Sequence, residues 1–193
     1  MNEQVYRKAL DEHLSLFSKL DTLMADLVRA AGYMLETIRN GGKIIICGNG
    51  GSAADAQHFA AEMVGRFQLE RRPWGAIALT TDTSILTAVG NDYSFEEIFS
   101  RQVEALASPR DLFLGISTSG RSANVLKAAL CARMKGIKTV GLLGNDGGTI
   151  RGSVDSAVIV PYNVTARIQE VHVFVLHVWS EMIESGLAGY QQV

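Results

Sequence analysis

Asp55, His58 and Glu62 stand at i, i+3 and i+7 of an alanine-rich segment, which puts all three on one helix face with His58 and Glu62 one turn apart. An imidazole and a carboxylate at that spacing can share a metal ion or divide acid–base work, although an ordinary solvated helix face has the same spacing. Just ahead lies the turn Gly48-Asn49-Gly50-Gly51-Ser52. Its glycines let backbone N–H groups approach a ligand, and the helix start behind it favours an anion, with phosphate the first guest to consider. A second turn, Ser117-Thr118-Ser119-Gly120-Arg121-Ser122, offers four hydroxyls in six residues. That number suits the three oxygens of a phosphate, whereas an N-cap accounts for one or two. Near the end of the chain Arg167, Gln169, Glu170, His172 and His177 punctuate an otherwise apolar helix. Two of the chain's four histidines on this one buried helix, with His58 beside the glycine turn, point toward chemistry.

Positioning these groups requires strands that end where the turns begin. Ile44–Cys47, Ala76–Leu79, Leu112–Ile116, Ile137–Leu143 and Ala157–Val160 read as five strands. Between them, Ser84–Val89, Phe95–Leu106 and Ala123–Lys135 read as helices, with Gly90-Asn91-Asp92 as a turn whose polar tips face a cleft. Alternating strands and helices predict a parallel sheet covered on both faces, with ligands at the carboxyl ends of the strands. The fold expected is α/β, a flavodoxin-like three-layer sandwich. Residues 2–39 carry helical periodicity in two segments, with Asp21 as cap of the second and Gly41-Gly42 as its stop. The chain therefore divides into N-terminal helices over 1–40, with apolar surface to spare for another subunit, and one domain over 41–193.

Bulk properties exclude several classes. The 193 residues suffice for one domain with a sizeable core. A formal net charge of -2 with no Lys/Arg run argues against a nucleic-acid binder. No apolar run approaches the ~20 residues of a membrane span, so no membrane partner is expected. Cys47 and Cys131 are the only cysteines, form no CxxC, and no signal peptide precedes them, so a cytoplasmic protein is expected. Gly48-x-Gly50-x-x-Ala53 fits the dinucleotide fingerprint formally, but the acid expected about twenty residues on is missing, and Asp82 comes too late. Neither a P-loop nor a nucleophile elbow is present.

Four segments, CGNGGSAADAQHFAAE (47–62), TTDTSILTAVGNDY (80–93), GISTSGRSANV (115–125) and TARIQEVHVFVLH (165–177), resemble the sugar isomerase (SIS) family and, within it, the phosphoheptose isomerases. The resemblance runs through nearly the whole chain in order. It implies that Ser117, Thr118, Ser119 and Ser122 hold a sugar phosphate, while Asn49, Gly50, Gly51, Ser52, Asn91, Asp92, Glu62 and Gln169 contact the rest of the substrate. This moves the phosphate from the glycine turn to the serine turn. It further implies one zinc per subunit on His58, Glu62, Gln169 and His177, with Glu62 as catalytic base and His177 as acid. A homotetramer, with active sites near subunit interfaces and a product feeding heptose synthesis for lipopolysaccharide or other surface glycans, is implied as well. Regulators of the same fold that bind a protein partner lack the acid and the histidine, and both are present here. An isomerase of another sugar phosphate shares every one of these features.

The implied residue types suit an aldose–ketose isomerisation, in which one proton moves between C1 and C2 and another between the two oxygens. Two positions depart from the family: Arg121 stands where Asn is frequent, adding a cation beside the anion, and Ala166 where some members carry Asp. One geometric question follows. Gln169 and His177 are separated by about 12 Å of helical rise and about 80° of rotation, and Glu170 faces with His177 better than Gln169 does. A site between subunits, with some ligands from a neighbour, resolves this.

Overall fold

The β-branched runs become five parallel strands in the computed structural model of the protein, which describes residues 2–188. They are β1 (Ile44–Gly48), β2 (Ala76–Ala78), β3 (Leu112–Ser117), β4 (Lys138–Gly144) and β5 (Ser156–Val160), ordered β2-β1-β3-β4-β5. This is the flavodoxin-like order, and its direction reverses between β1 and β3, whose residues pair from Ile44 with Leu112 to Gly48 with Ile116. The glycine turn leaves β1 and the hydroxyl turn leaves β3. Both therefore open on the crevice where such sheets bind ligands.

The two-residue period of the strands sorts the core into two layers. Ile44 and Ile46 of β1, with Leu112, Leu114 and Ile116 of β3, pack against α2 (Met24–Arg39), α3 (Gly51–Val64) and α7 (Thr165–Leu187). Ile45, Cys47 and Phe113 face the other way, against α5 (Ser100–Leu106) and α6 (Ala123–Met134). Burial pushes the Cys47 thiol well above its ordinary range, so it is an inert core residue. Ala30 and Met34 of α2 are fully buried in the first layer, whereas α1 (Glu3–Phe17) leaves Val5, Tyr6, Leu10 and Leu14 exposed. No helix among the described residues is long and apolar enough to cross a membrane.

Three local expectations give way to tertiary context. Asp21 does not cap α2; it lies in a 3-10 turn, Leu20–Leu23, that runs directly into the helix. Gly90-Asn91-Asp92 is not a turn but the last turn of α4 (Thr83–Asp92), which starts early because Asp82 Oδ1 accepts from Ile85 N at 2.9 Å. The helix expected over Phe95–Leu106 breaks into a 3-10 turn, Phe95–Glu97, and α5. Gly41 and Gly42 end α2 as expected, with Gly42 N–H donating to Thr37 O at 2.9 Å.

Candidate active site

Gly50 supplies the turn that aims α3: its φ of +57° is a conformation other residues rarely adopt, and Ala53 and Ala54 N–H bond back to its carbonyl. Gly51 serves differently. A side chain there would collide with the amide of Gln169, so the missing Cβ lets α7 seat that amide on the first turn of α3.

From that meeting point α3 and α7 run side by side in the same direction, Gln169 beside Gly51, His177 beside His58, and Glu184 beside the loop after α3. Two turns in, His58 Nε2 lies 3.0 Å from His177 Nε2 and 3.1 Å from Glu62 Oε1. The three donor atoms all fall within 4.8 Å of one another. Two facing imidazole nitrogens share one hydrogen bond in the neutral form, one ring donating and the other accepting. With a lone pair on each ring, these atoms could serve as the donor set of a divalent metal, and the 3.0 and 3.1 Å spacings about His58 are near the ~3.3 Å edge of a tetrahedron with ~2.0–2.1 Å bonds. The ring of Phe67 stacks on His177, centroids 5.6 Å apart and planes 26° from parallel.

Gln169 does not join this group in its own chain. It lies at the Gly51 end, about 10 Å of helical rise before His58. Glu170 does not join either. Its carboxylate accepts from His13 Nδ1 at 2.8 Å and pairs with Arg167 at 2.8 Å, which fastens α1 to α7. His172, the other candidate on α7, is fully buried, and neither ring nitrogen makes a well-formed hydrogen bond, the Leu143 carbonyl being near but poorly aligned. Burial pushes it down to about 4, with the Leu143 carbonyl opposing. Asp55 is buried one turn before His58, outside the donor group, and burial raises it to about 6 against the pull of His58.

At the end of β3 the hydroxyls converge. Ser117 Oγ lies 2.9 Å from Ser122 Oγ and 3.5 Å from Ser119 Oγ, while Gly120 N–H and Arg121 N–H donate to Ser117 and Ser119 Oγ at 3.1 Å each. The turn after β4 braces this loop from behind: Asn145 Nδ2 donates to the Thr118 carbonyl at 2.9 Å and Ile150 N–H to Gly120 O at 3.1 Å. Arg121 pairs with Asp146 at 2.8 Å and donates to Ser119 O, so its charge is matched by a carboxylate outside the loop.

Asn49 reaches across to this second loop through a reciprocal amide pair with Asn124, at 2.8 and 2.9 Å. Asn124, in the first turn of α6, is the residue that sequence reasoning missed; its place two residues after the last serine was the available signal. Ser52 is buried in the first turn of α3. Asn91 and Asp92 are exposed at the end of α4, where Asn91 Nδ2 donates to Asp92 Oδ1, and no hydrogen bond joins them to the other candidates among the described residues.

Comparison with known proteins shows the family. The SIS domain family model matches residues 6–144. The phosphoheptose isomerase of Trichlorobacter lovleyi is 56% identical over 183 residues, covering 94% of this chain and 93% of that protein. The solved phosphoheptose isomerase of Neisseria gonorrhoeae superposes with a TM-score of 0.90 at 44% identity, covering 95% of this chain and 98% of the other. That of Francisella tularensis gives 0.85 at 36% identity, with 95% and 96% covered. With this similarity spanning the whole fold, the chain belongs to the SIS family and, within it, to the phosphoheptose isomerases.

Proposed function

We propose that this protein converts sedoheptulose 7-phosphate to D-glycero-D-manno-heptose 7-phosphate through a cis-enediol. The observation that carries the reading is the convergence of Glu62 and His177 on His58, in a chain whose β3 ends in a loop that gathers the hydroxyls of Ser117, Ser119 and Ser122. Ser117, Thr118, Ser119 and Ser122 take the phosphate, Ser52 and the Gly50-Gly51 backbone face the sugar, and Asn49, bonded to Asn124, keeps the two loops in register. Glu62 takes a proton from C1 and, after that proton has exchanged with solvent, delivers one to C2 on the same face, which a single carboxylate can do without releasing substrate. His177 moves the second proton between O1 and O2. Each positioned group contributes on the order of 10²–10⁴ in rate.

His58, Glu62 and His177 would hold zinc, and the separation of Gln169 from them within one chain supports a fourth ligand from a neighbouring subunit. When bound, zinc supplies positive charge where negative charge develops on the substrate oxygens. The exposed apolar residues of α1, with Met24 and Val28, support assembly, for which a homotetramer with sites near its interfaces is the form we infer. Asn91 and Asp92, exposed on α4, are assigned to the substrate from such an interface. A cytoplasmic role in supplying heptose for surface glycans completes the proposal.

The test is to incubate the protein with sedoheptulose 7-phosphate in deuterated water and follow the aldose by proton NMR, before and after chelation and zinc restoration. Aldose deuterated at C2 and lost on chelation is the expected result. Absence of turnover with zinc restored, while other ketose phosphates are turned over, would move the substrate assignment.

A further inference from the structure

The chain between α3 and β2 reads in sequence as a polar connection, yet Arg71 within it is almost wholly buried. Its side chain is 0% exposed and that of its partner Glu184 is 2% exposed. Arg71 Nε donates to Glu184 Oε1 at 3.0 Å. Its remaining nitrogens serve the end of α3: Nη2 donates to the Glu62 carbonyl at 2.6 Å, and Nη1 to the Met63, Gly65 and Arg72 carbonyls at 2.9, 3.3 and 3.1 Å. The guanidinium plane lies 3.7 Å over the ring of Trp74. A cation at a helix C-terminus satisfies carbonyls that would otherwise lack partners and meets the negative end of the dipole.

Glu184 is equally committed. Besides Arg71 it accepts from the backbone N–H groups of Phe67, Gln68 and Leu69, at 2.9 Å each. Burial alone would raise its carboxyl, but these four donors more than offset it and the group titrates below its ordinary range. Glu184 stands seven residues beyond His177 on α7, two turns along the same face. The Phe67 whose N–H it fixes is the residue whose ring stacks on His177. One ion pair thus grips the Glu62 peptide, the ring packed on His177, and the helix that carries His177.

We propose that Arg71, Glu184 and Phe67 are positioning residues that hold the Glu62 carboxylate and the His177 imidazole in their working geometry. The proposal rests on the acid–base roles read above for Glu62 and His177. A fully hydrogen-bonded buried pair is not required for stability alone, since apolar replacements of buried pairs are frequently neutral or stabilising. Its specific use here is registry of α3 against α7, where misplacement of a reacting group by about 1 Å can cost on the order of a hundredfold in rate.

The test uses Phe67→Leu, Phe67→Tyr, Arg71→Lys and Glu184→Gln in the full chain, loaded with zinc. Two readouts are taken: kcat and KM for sedoheptulose 7-phosphate well below each variant's Tm, and the ring-proton shifts of His177 in protein carrying isotope-labelled histidine. R71K and E184Q, which keep the Phe67 ring and its ring current, are expected to move the His177 ring resonances, and these two and F67L to lower kcat about tenfold or more, with KM within about threefold because the phosphate loop lies on other elements. F67Y keeps the ring and should stay within about twofold of the parent. His177 resonances unmoved in R71K and E184Q, with kcat unmoved in these and in F67L, whatever their Tm, would overturn the proposal. Should R71K fail to fold, F67L and E184Q decide in the same way. If the parent protein itself is silent toward sedoheptulose 7-phosphate, the isomerase reading fails, and the ring resonances alone then decide the positioning claim.

Discussion

Glu62 and His58 are one helical turn apart, but what makes them a site is His177, 119 residues away from His58 in sequence and 3.0 Å away in space. Glu62→Gln removes the base while keeping the shape, so kcat should fall by about 10²–10⁴ with the Tm of the metal-free protein nearly unchanged; near-normal turnover would sink the assignment. On the anion side, Ser119 is exposed and its hydroxyl, which accepts from Arg121 N–H, still has a proton to donate to a ligand, so Ser119→Ala should raise KM about three- to tenfold and leave kcat within about twofold. A loss confined to kcat would contradict a phosphate role. His172 belongs to the residue scale as well. Its folded pKa, about 4, lies below the ordinary value near 6.5, so the unfolded chain binds more protons between those limits and stability rises with pH across that window. His172→Leu, which removes two buried nitrogens that lack well-formed hydrogen bonds, should raise Tm by about 2–6 °C and flatten this slope. A lower Tm measured by calorimetry would show that the ring is needed for packing.

Elements explain which of these residues could be read in advance. The strands follow from apolar, largely β-branched runs, and all five lie within a residue or two of where these runs put them; in β1, β3 and β4 two-sided burial leaves little choice of position. The glycine and hydroxyl turns were legible for the same reason: a strand that stops and a helix that starts leave a short polar link whose chemistry is plain. Gln169 against Glu170 was not legible. Rotation along α7 favours Glu170, but His13 of α1 and Arg167 take its carboxylate, a contact across 157 residues that no local pattern encodes. Arg71 and Glu184, 113 residues apart, were hidden likewise, since each looks like an ordinary surface charge until α7 docks. Gly120 is a test at this scale. A Cβ there would run into the Gly147 backbone, at a φ of +65°, so Gly120→Ala should loosen the hydroxyl loop, raising KM several-fold and lowering Tm. Unchanged values of both would mean that the brace from the β4 turn is dispensable.

For the whole molecule, the strand order puts both loops at the one point where the winding of the sheet reverses, and the Asn49–Asn124 amide pair joins them there. The exposed apolar stripe on α1 is the feature that the single chain leaves unsatisfied. Replacing Tyr6 and Leu10 by glutamate should shift the assembly toward smaller species in light scattering, and activity should fall with it if sites are completed between subunits. Full activity in a monomer would refute that reading.

The meeting of His58 with His177 has a further consequence, for the way the chain holds together. An ion bound there would close a loop of more than a hundred residues, and the entropy a cross-link removes from the unfolded chain grows with the length it encloses. Zinc would then act as a buckle between the middle and the last helix, favouring the native state over every conformation in which α7 has come away. Chelation should lower Tm and, in amide exchange, release α7 and the end of α3 ahead of the central strands. The ion that assists the reaction would also decide how often the last helix lets go.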